Sequence, residues 1–115
     1  SSPWLEAELA LTRQGVYTGL PFVIGGGEAV SAQLINHGCE PPLAFSSDAL
    51  SVYFNGNLVR EMAISLASIS AGGQSYTWNW DLKDDVGNLV GQPGFYKLLL
   101  KTNQGDFPLE VQLVN

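Results

Sequence analysis

The stretch Ser75-Tyr76-Thr77-Trp78-Asn79-Trp80 alternates an aromatic ring with a small polar side chain without a break. Successive side chains of an extended chain point to opposite faces, so the spacing predicts a strand with every ring on one side. Rings of this size at a spacing of two suit the layer between two stacked sheets, with Ser75, Thr77 and Asn79 turned to water. The other use of such a row is a stacking platform for sugars.

Working outward, the same period of two recurs on both sides. Before it, Trp4 to Thr12 sets Leu5, Ala7, Leu9 and Leu11 against Glu6, Glu8 and Thr12, and Ala29 to Asn36 turns Val30, Ala32 and Leu34 inward. Leu43 to Phe45 and Leu50 to Phe54 read as further strands, and Asn55-Gly56-Asn57 supplies the left-handed backbone of a tight hairpin returning along Leu58 to Met62. After it, Asp81 to Asn88 and Gly91-Gln92-Pro93-Gly94 are turns, and Phe95 to Thr102 and Leu109 to Val114 close the chain as strands around Asn103 to Asp106. Arg13 to Glu28 is rich in glycine and carries no strand assignment, and His37 to Pro42 must be a loop because paired prolines cannot donate to a ladder. No amphipathic helix stands out. The expected fold is all-β: an antiparallel immunoglobulin-like β-sandwich of about seven to nine strands, occupying residues 1–115 as a single domain.

Composition narrows the function. The chain has 115 residues, 5 Lys+Arg against 11 Asp+Glu and a net charge of −6. Scattered basic residues in an acidic chain do not neutralise phosphates, so nucleic acid is not expected as a partner. No run approaches the ~18–20 apolar residues of a membrane span, so membrane insertion is not expected either. The only cysteine, Cys39, excludes an internal disulfide.

Chemistry is sparsely supplied. His37, the only histidine, shares a proline-rich loop with Cys39 and Glu40, positions too close in sequence to form a preorganised relay. They also fall short of the four spaced ligands of structural zinc. Neither Glu6 with Glu8 nor Asp84 with Asp85 selects the facing pair of carboxyls that glycoside hydrolysis needs. The chain is therefore read as non-enzymatic, with no catalytic residues and no cofactor. Asp81, Asp84, Asp85 and Asn88 offer oxygen ligands that could hold calcium, although Lys83 lies among them and such turns form without metal. For a partner, two regions qualify. One is the loop with His37, Cys39, Glu40, Pro41 and Pro42; the other is Phe95 and Leu99, which oppose Tyr96, Leu98 and Leu100 in one strand. A strand apolar on both faces lies centrally in a sandwich or meets another molecule.

Several motifs carry a resemblance. These are Leu43 to Ala49, the hairpin Leu50 to Arg60, Ile69 to Gln74, and the closing series Tyr76-x-Trp78-x-Trp80-Asp81, Asp84-Asp85-x-Gly87-Asn88-x-Val90 and Pro93-Gly94-x-Tyr96. With Ala29 to Asn36 they resemble the BsuPI-type domain of intracellular proteinase inhibitors, which has an immunoglobulin-like fold. The chain departs from that pattern at Arg60 to Leu66, where the family has an aromatic-rich segment. The resemblance implies a protein-binding module inhibiting a subtilisin-like serine protease through a rigid loop, in a bacterial cytoplasm. The same closing pattern occurs in other bacterial immunoglobulin-like modules, so the alternative is a structural or accessory domain of a cell-envelope or secreted protein, with a neighbouring domain as partner. The only methionine is Met62, so a processed or excised product is expected, with export if a leader has been removed. Oligomeric state is left open.

Overall fold

Period-two alternation produces what it predicts along most of the chain. The computed structural model describes residues 7–13, 16–36, 43–65, 68–70 and 74–115. Among them are eleven strands: β1 (Ala7–Arg13), β2 (Val16–Tyr17), β3 (Phe22–Val23), β4 (Val30–Asn36), β5 (Leu43–Ala44), β6 (Ala49–Phe54), β7 (Asn57–Ala63), β8 (Ser68–Ile69), β9 (Gln74–Trp80), β10 (Gly94–Thr102) and β11 (Gly105–Val114). The described residues contain no helix. The surplus over the expected count is β2, β3 and β8, two residues each and too short to show a period.

Two sheets stack. One has the order β2-β1-β4-β9 and the other β3-β11-β10-β6-β7, with β5 and β8 forming a small ladder of their own. This division is that of an immunoglobulin-like sandwich: β6 crosses to the second sheet and pairs with β7 and β10, while β9 returns to pair with β4 in the first. One pairing departs from the expected antiparallel arrangement: β3 runs parallel to β11, with Leu113 opposite Phe22 and Val114 opposite Val23. The chain leaves the first sheet after β2 and joins the edge of the second, so it arrives alongside β11 in the same direction.

The rings of the opening stretch point inward. Trp80 is fully buried and Trp78 nearly so, among Leu34, Leu50, Val52, Leu98 and Leu100. Tyr76 packs on Trp78 at 4.5 Å and Trp80 lies 5.6 Å from Tyr96. The sugar-platform use of this row is thereby closed, because its faces are covered by the opposite sheet. Burying side chains of this size is worth several kcal/mol each, about 3–5 kcal/mol on truncation, and makes β9 a principal anchor between the layers.

Turn chemistry sets the registers. Asn55 and Gly56 both take positive φ, 52° and 81°, and place Phe54 opposite Asn57, as a two-residue hairpin turn requires. The last hairpin is tighter than expected, with Thr102 opposite Gly105 and the Thr102 hydroxyl donating to the Gly105 carbonyl at 2.7 Å. Strand β11 therefore begins ahead of Pro108. That proline fits because β11 is paired on its far side only at Leu113 and Val114, so its missing N–H removes no ladder bond. At the entry to β10, Gly94 has φ 144°, and a Cβ there would stand 3.1 Å from the Phe54 ring. Two residues on, the Tyr96 hydroxyl donates to the Gln92 carbonyl at 2.7 Å, the tyrosine corner of this fold class, and burial raises its pKa.

Candidate functional site

Strand β10 is central in its sheet, paired with β11 on one side and β6 on the other. Its inward residues Tyr96, Leu98 and Leu100 are fully buried or nearly so. The alternation then forces Phe95, Lys97, Leu99 and Lys101 outward. Phe95 is 57% exposed, and Leu99 is half-buried. Opposite them on β11 stand Gln112, Glu110, Pro108 and Asp106, and on β6 Tyr53 faces Lys97 and Ser51 faces Leu99.

Phe95 is a ridge between two shallow depressions. One is walled by Tyr53, Asn55, Lys97, Leu99 and Glu110. The other runs from Phe95 and Glu110 across to Leu9, Tyr17, Thr18 and Leu20. Leu20 and Tyr17 are themselves mostly exposed, which extends the apolar surface around the corner of the sandwich. Sequence reasoning missed this half because β2 and the chain after it have no period to read.

The corner is held in place. The Arg13 guanidinium donates to Glu28 from Nε at 2.6 Å and from Nη2 at 3.0 Å, donates to the Pro21 carbonyl at 3.2 Å, and covers the Phe22 ring at 4.3 Å. The hydrogen bonding from Arg13 lowers the Glu28 pKa and raises that of Arg13 itself. The Tyr17 hydroxyl donates to Glu8 at 2.9 Å, and this bond raises the Tyr17 pKa.

Charge on the outer face is ordered by strand. Both outward lysines, Lys97 and Lys101, are on β10, and their direct cross-strand neighbours on β11 are Glu110 and Asp106. Among the described residues the ion pairs join Arg13 to Glu28 and Arg60 to Asp81 and Asp85, and none uses these four side chains. Sequence alternation placed Phe95 and Leu99 outward. The lysine–carboxylate ladder needed the register of the final hairpin.

The acidic turn does different work. Asp84 Oδ1 accepts from the backbone N–H groups of Val86, Gly87 and Asn88, each at 3.0 Å. Asp81 Oδ1 accepts from the Lys83 N–H and from Arg60, both at 3.1 Å, and Asp85 Oδ1 accepts from the Glu61 N–H at 3.0 Å. Asn88 is exposed, and its backbone carbonyl accepts from the Asp84 N–H at 2.9 Å. These carboxylates turn toward N–H donors and Arg60 instead of toward one another. Among the described residues no group of three His, Cys, Asp or Glu could hold a metal ion. The Asp85 N–H also donates to the Val59 carbonyl at 3.1 Å, so the turn covers the outer edge of β7. A covered edge cannot template pairing with another chain. Leu82 sits in the left-handed region at φ 65° with its side chain 2% exposed, a strained anchor for that turn.

His37, Cys39, Glu40, Pro41 and Pro42 lie outside the described residues. No family model matches the chain, and no curated protein matches it significantly.

Proposed function

We propose that this chain is a non-catalytic protein-binding module that docks through the outer face of its five-stranded sheet. The observation that carries the reading is Phe95, an aromatic ring more than half exposed in a sheet whose other rings are buried or partly buried. Binding surfaces concentrate aromatic anchors beside less energetic contacts that exclude water. Here the anchor is flanked by Tyr53, Leu99 and Leu20 and by charges that form no ion pair among the described residues. An open sheet face with shallow depressions suits another folded surface better than a narrow cleft, which favours the accessory-domain reading. Its rigidity lowers the ordering cost of association.

The test compares the chain with its Phe95→Asp variant as baits against proteins of their own source. Proteins retained by the first and lost by the second, at unchanged melting temperature, support the reading; equal retention overturns it. Inhibition of a subtilisin-like protease, which the BsuPI-type resemblance implies, is read separately. Near-stoichiometric loss of protease activity, with the chain surviving intact and Phe95→Asp as potent as the parent, would assign the contact to the His37–Pro42 loop instead.

A further inference from the structure

The outer face is complementary to itself, and we infer that the partner it takes is a second copy of the same chain. The inference rests on the reading of that face as the docking surface and names its occupant.

Consider the ladder of outward pairs along β10 and β11: Phe95 with Gln112, Lys97 with Glu110, Leu99 with Pro108, Lys101 with Asp106. All the basic groups are on one strand and all the carboxylates on the other, at matched heights. Two copies laid face to face about a two-fold axis parallel to these strands, midway between them, bring β10 of one copy over β11 of the other. Lys97 then stands over the partner's Glu110, Lys101 over the partner's Asp106, and Leu99 over the partner's Pro108. The two Phe95 rings come side by side, each over the partner's Gln112. Every cross-strand neighbour within one copy becomes a facing neighbour between copies, and an isologous interface needs just this self-complementarity.

The other simple arrangement fails on charge. A two-fold axis across the strands, centred on Leu99, stacks β10 on β10 and sets Lys97 over the partner's Lys101. Like charges directly opposed are destabilising. The direction of the axis thus follows from the strand-by-strand segregation of charge. Stacked sheets cross at roughly 30° because each is twisted, so the pairs nearest the crossing, Lys97–Glu110 and Leu99–Pro108, keep their alignment best.

Net charge points to the same face. With −6 on each copy, two chains repel at most approaches. This face carries two of the five basic residues, Lys97 and Lys101, and neither forms an ion pair among the described residues. It can therefore supply attraction to an equally acidic partner.

The experiment is sedimentation equilibrium of the full chain from micromolar to millimolar concentration at low salt, with charge-reversal variants. The parent is expected to form a dimer that weakens as salt rises. Lys97→Glu and Glu110→Lys should each weaken dimerisation by roughly tenfold, because each change acts twice across the two-fold. The double variant Lys97→Glu with Glu110→Lys should restore it. Both positions of change are exposed, and unchanged melting curves certify the fold. A parent chain that stays monomeric throughout, or single variants that associate as well as the parent, overturns the self-pairing. Phe95→Asp separates this failure from that of the docking face: a monomeric parent that still retains another protein through Phe95 sinks the second copy as partner and leaves the face standing.

Discussion

The two outer faces of this sandwich are built by the same alternation and end in opposite condition. On the four-stranded sheet, the Ser31 hydroxyl donates to Asn79 Oδ1 at 2.7 Å and Gln33 Nε2 donates to the Ser75 hydroxyl at 3.4 Å, so small neutral side chains satisfy one another across β4 and β9. On the five-stranded sheet, Phe95 stands in solvent and the charged ladder of β10 and β11 forms no bridge among the described residues. Short polar side chains at facing positions reach each other directly, whereas long charged ones gain little from pairing in water and lose rotamer freedom by it. A face that spends its polar groups internally is complete. One that keeps an exposed ring and unpaired charges has interactions left to make.

The sharpest way to break this contrast is to truncate a ring on each side of the five-stranded sheet's inner layer. Trp80→Ala removes a fully buried side chain and should cost about 3–5 kcal/mol in urea unfolding. Phe95→Ala should stay within about 0.5 kcal/mol, the range of ordinary surface changes. Comparable losses at the two positions would mean that Phe95 is a structural residue.

Tyr96→Phe comes next. It deletes the hydroxyl that bonds the Gln92 carbonyl at 2.7 Å and should lower stability by about 1 kcal/mol, the net worth of one hydrogen bond. Because Phe95 adjoins this corner, hydrogen exchange in the first residues of β10 should quicken more than in β9. An unchanged exchange pattern would detach the corner from the face it is argued to hold.

Smaller still are the couplings within each face, and double-mutant cycles measure them. Ser31→Ala with Asn79→Ala should show a coupling of about 0.5 kcal/mol. Lys97→Ala with Glu110→Ala, measured at concentrations where the chain is monomeric, should show close to none. A stronger coupling in the second pair would remove the argument that this ladder is unspent.

The smallest effect is on pH dependence. Glu28 is exposed, and the hydrogen bond from Arg13 holds its folded pKa below the ordinary glutamate value. Its contribution is therefore present above the ordinary pKa and is lost as pH falls through the lowered one. Glu28→Gln should slightly flatten the acid limb of the stability profile and loosen the corner that carries Leu20. Added salt should shrink the difference. A profile identical to that of the parent would show that the clamp adds nothing to stability.

Much of the candidate face was legible before any coordinates. The run Phe95-Tyr96-Lys97-Leu98-Leu99-Leu100 demands a strand buried on one side with Phe95 and Leu99 on the other. Its charged half was not legible, because Lys97 and Glu110 become neighbours only through a turn one cannot place by composition: Asn103 to Asp106 reads as a loop, yet the ladder closes at Thr102 and Gly105. Nor does the sequence reveal that Asp84 and Asp85 serve backbone donors. Oxygen-rich turns look alike whether they face a cation or N–H groups, and only the approach of Arg60 and the edge of β7 tells them apart.

Sequence alone determined which side of each long strand is apolar, where the Asn55-Gly56 turn falls, and that the chain is all-β. These follow from local sterics, since alternation and left-handed turns are properties of a few consecutive residues. The tertiary structure decided which strands are neighbours, that β3 crosses to run parallel with β11, and that lysines and carboxylates share one surface. Those outcomes depend on contacts between segments distant in the chain, where cooperative burial in the core selects one arrangement among many with the same local pattern.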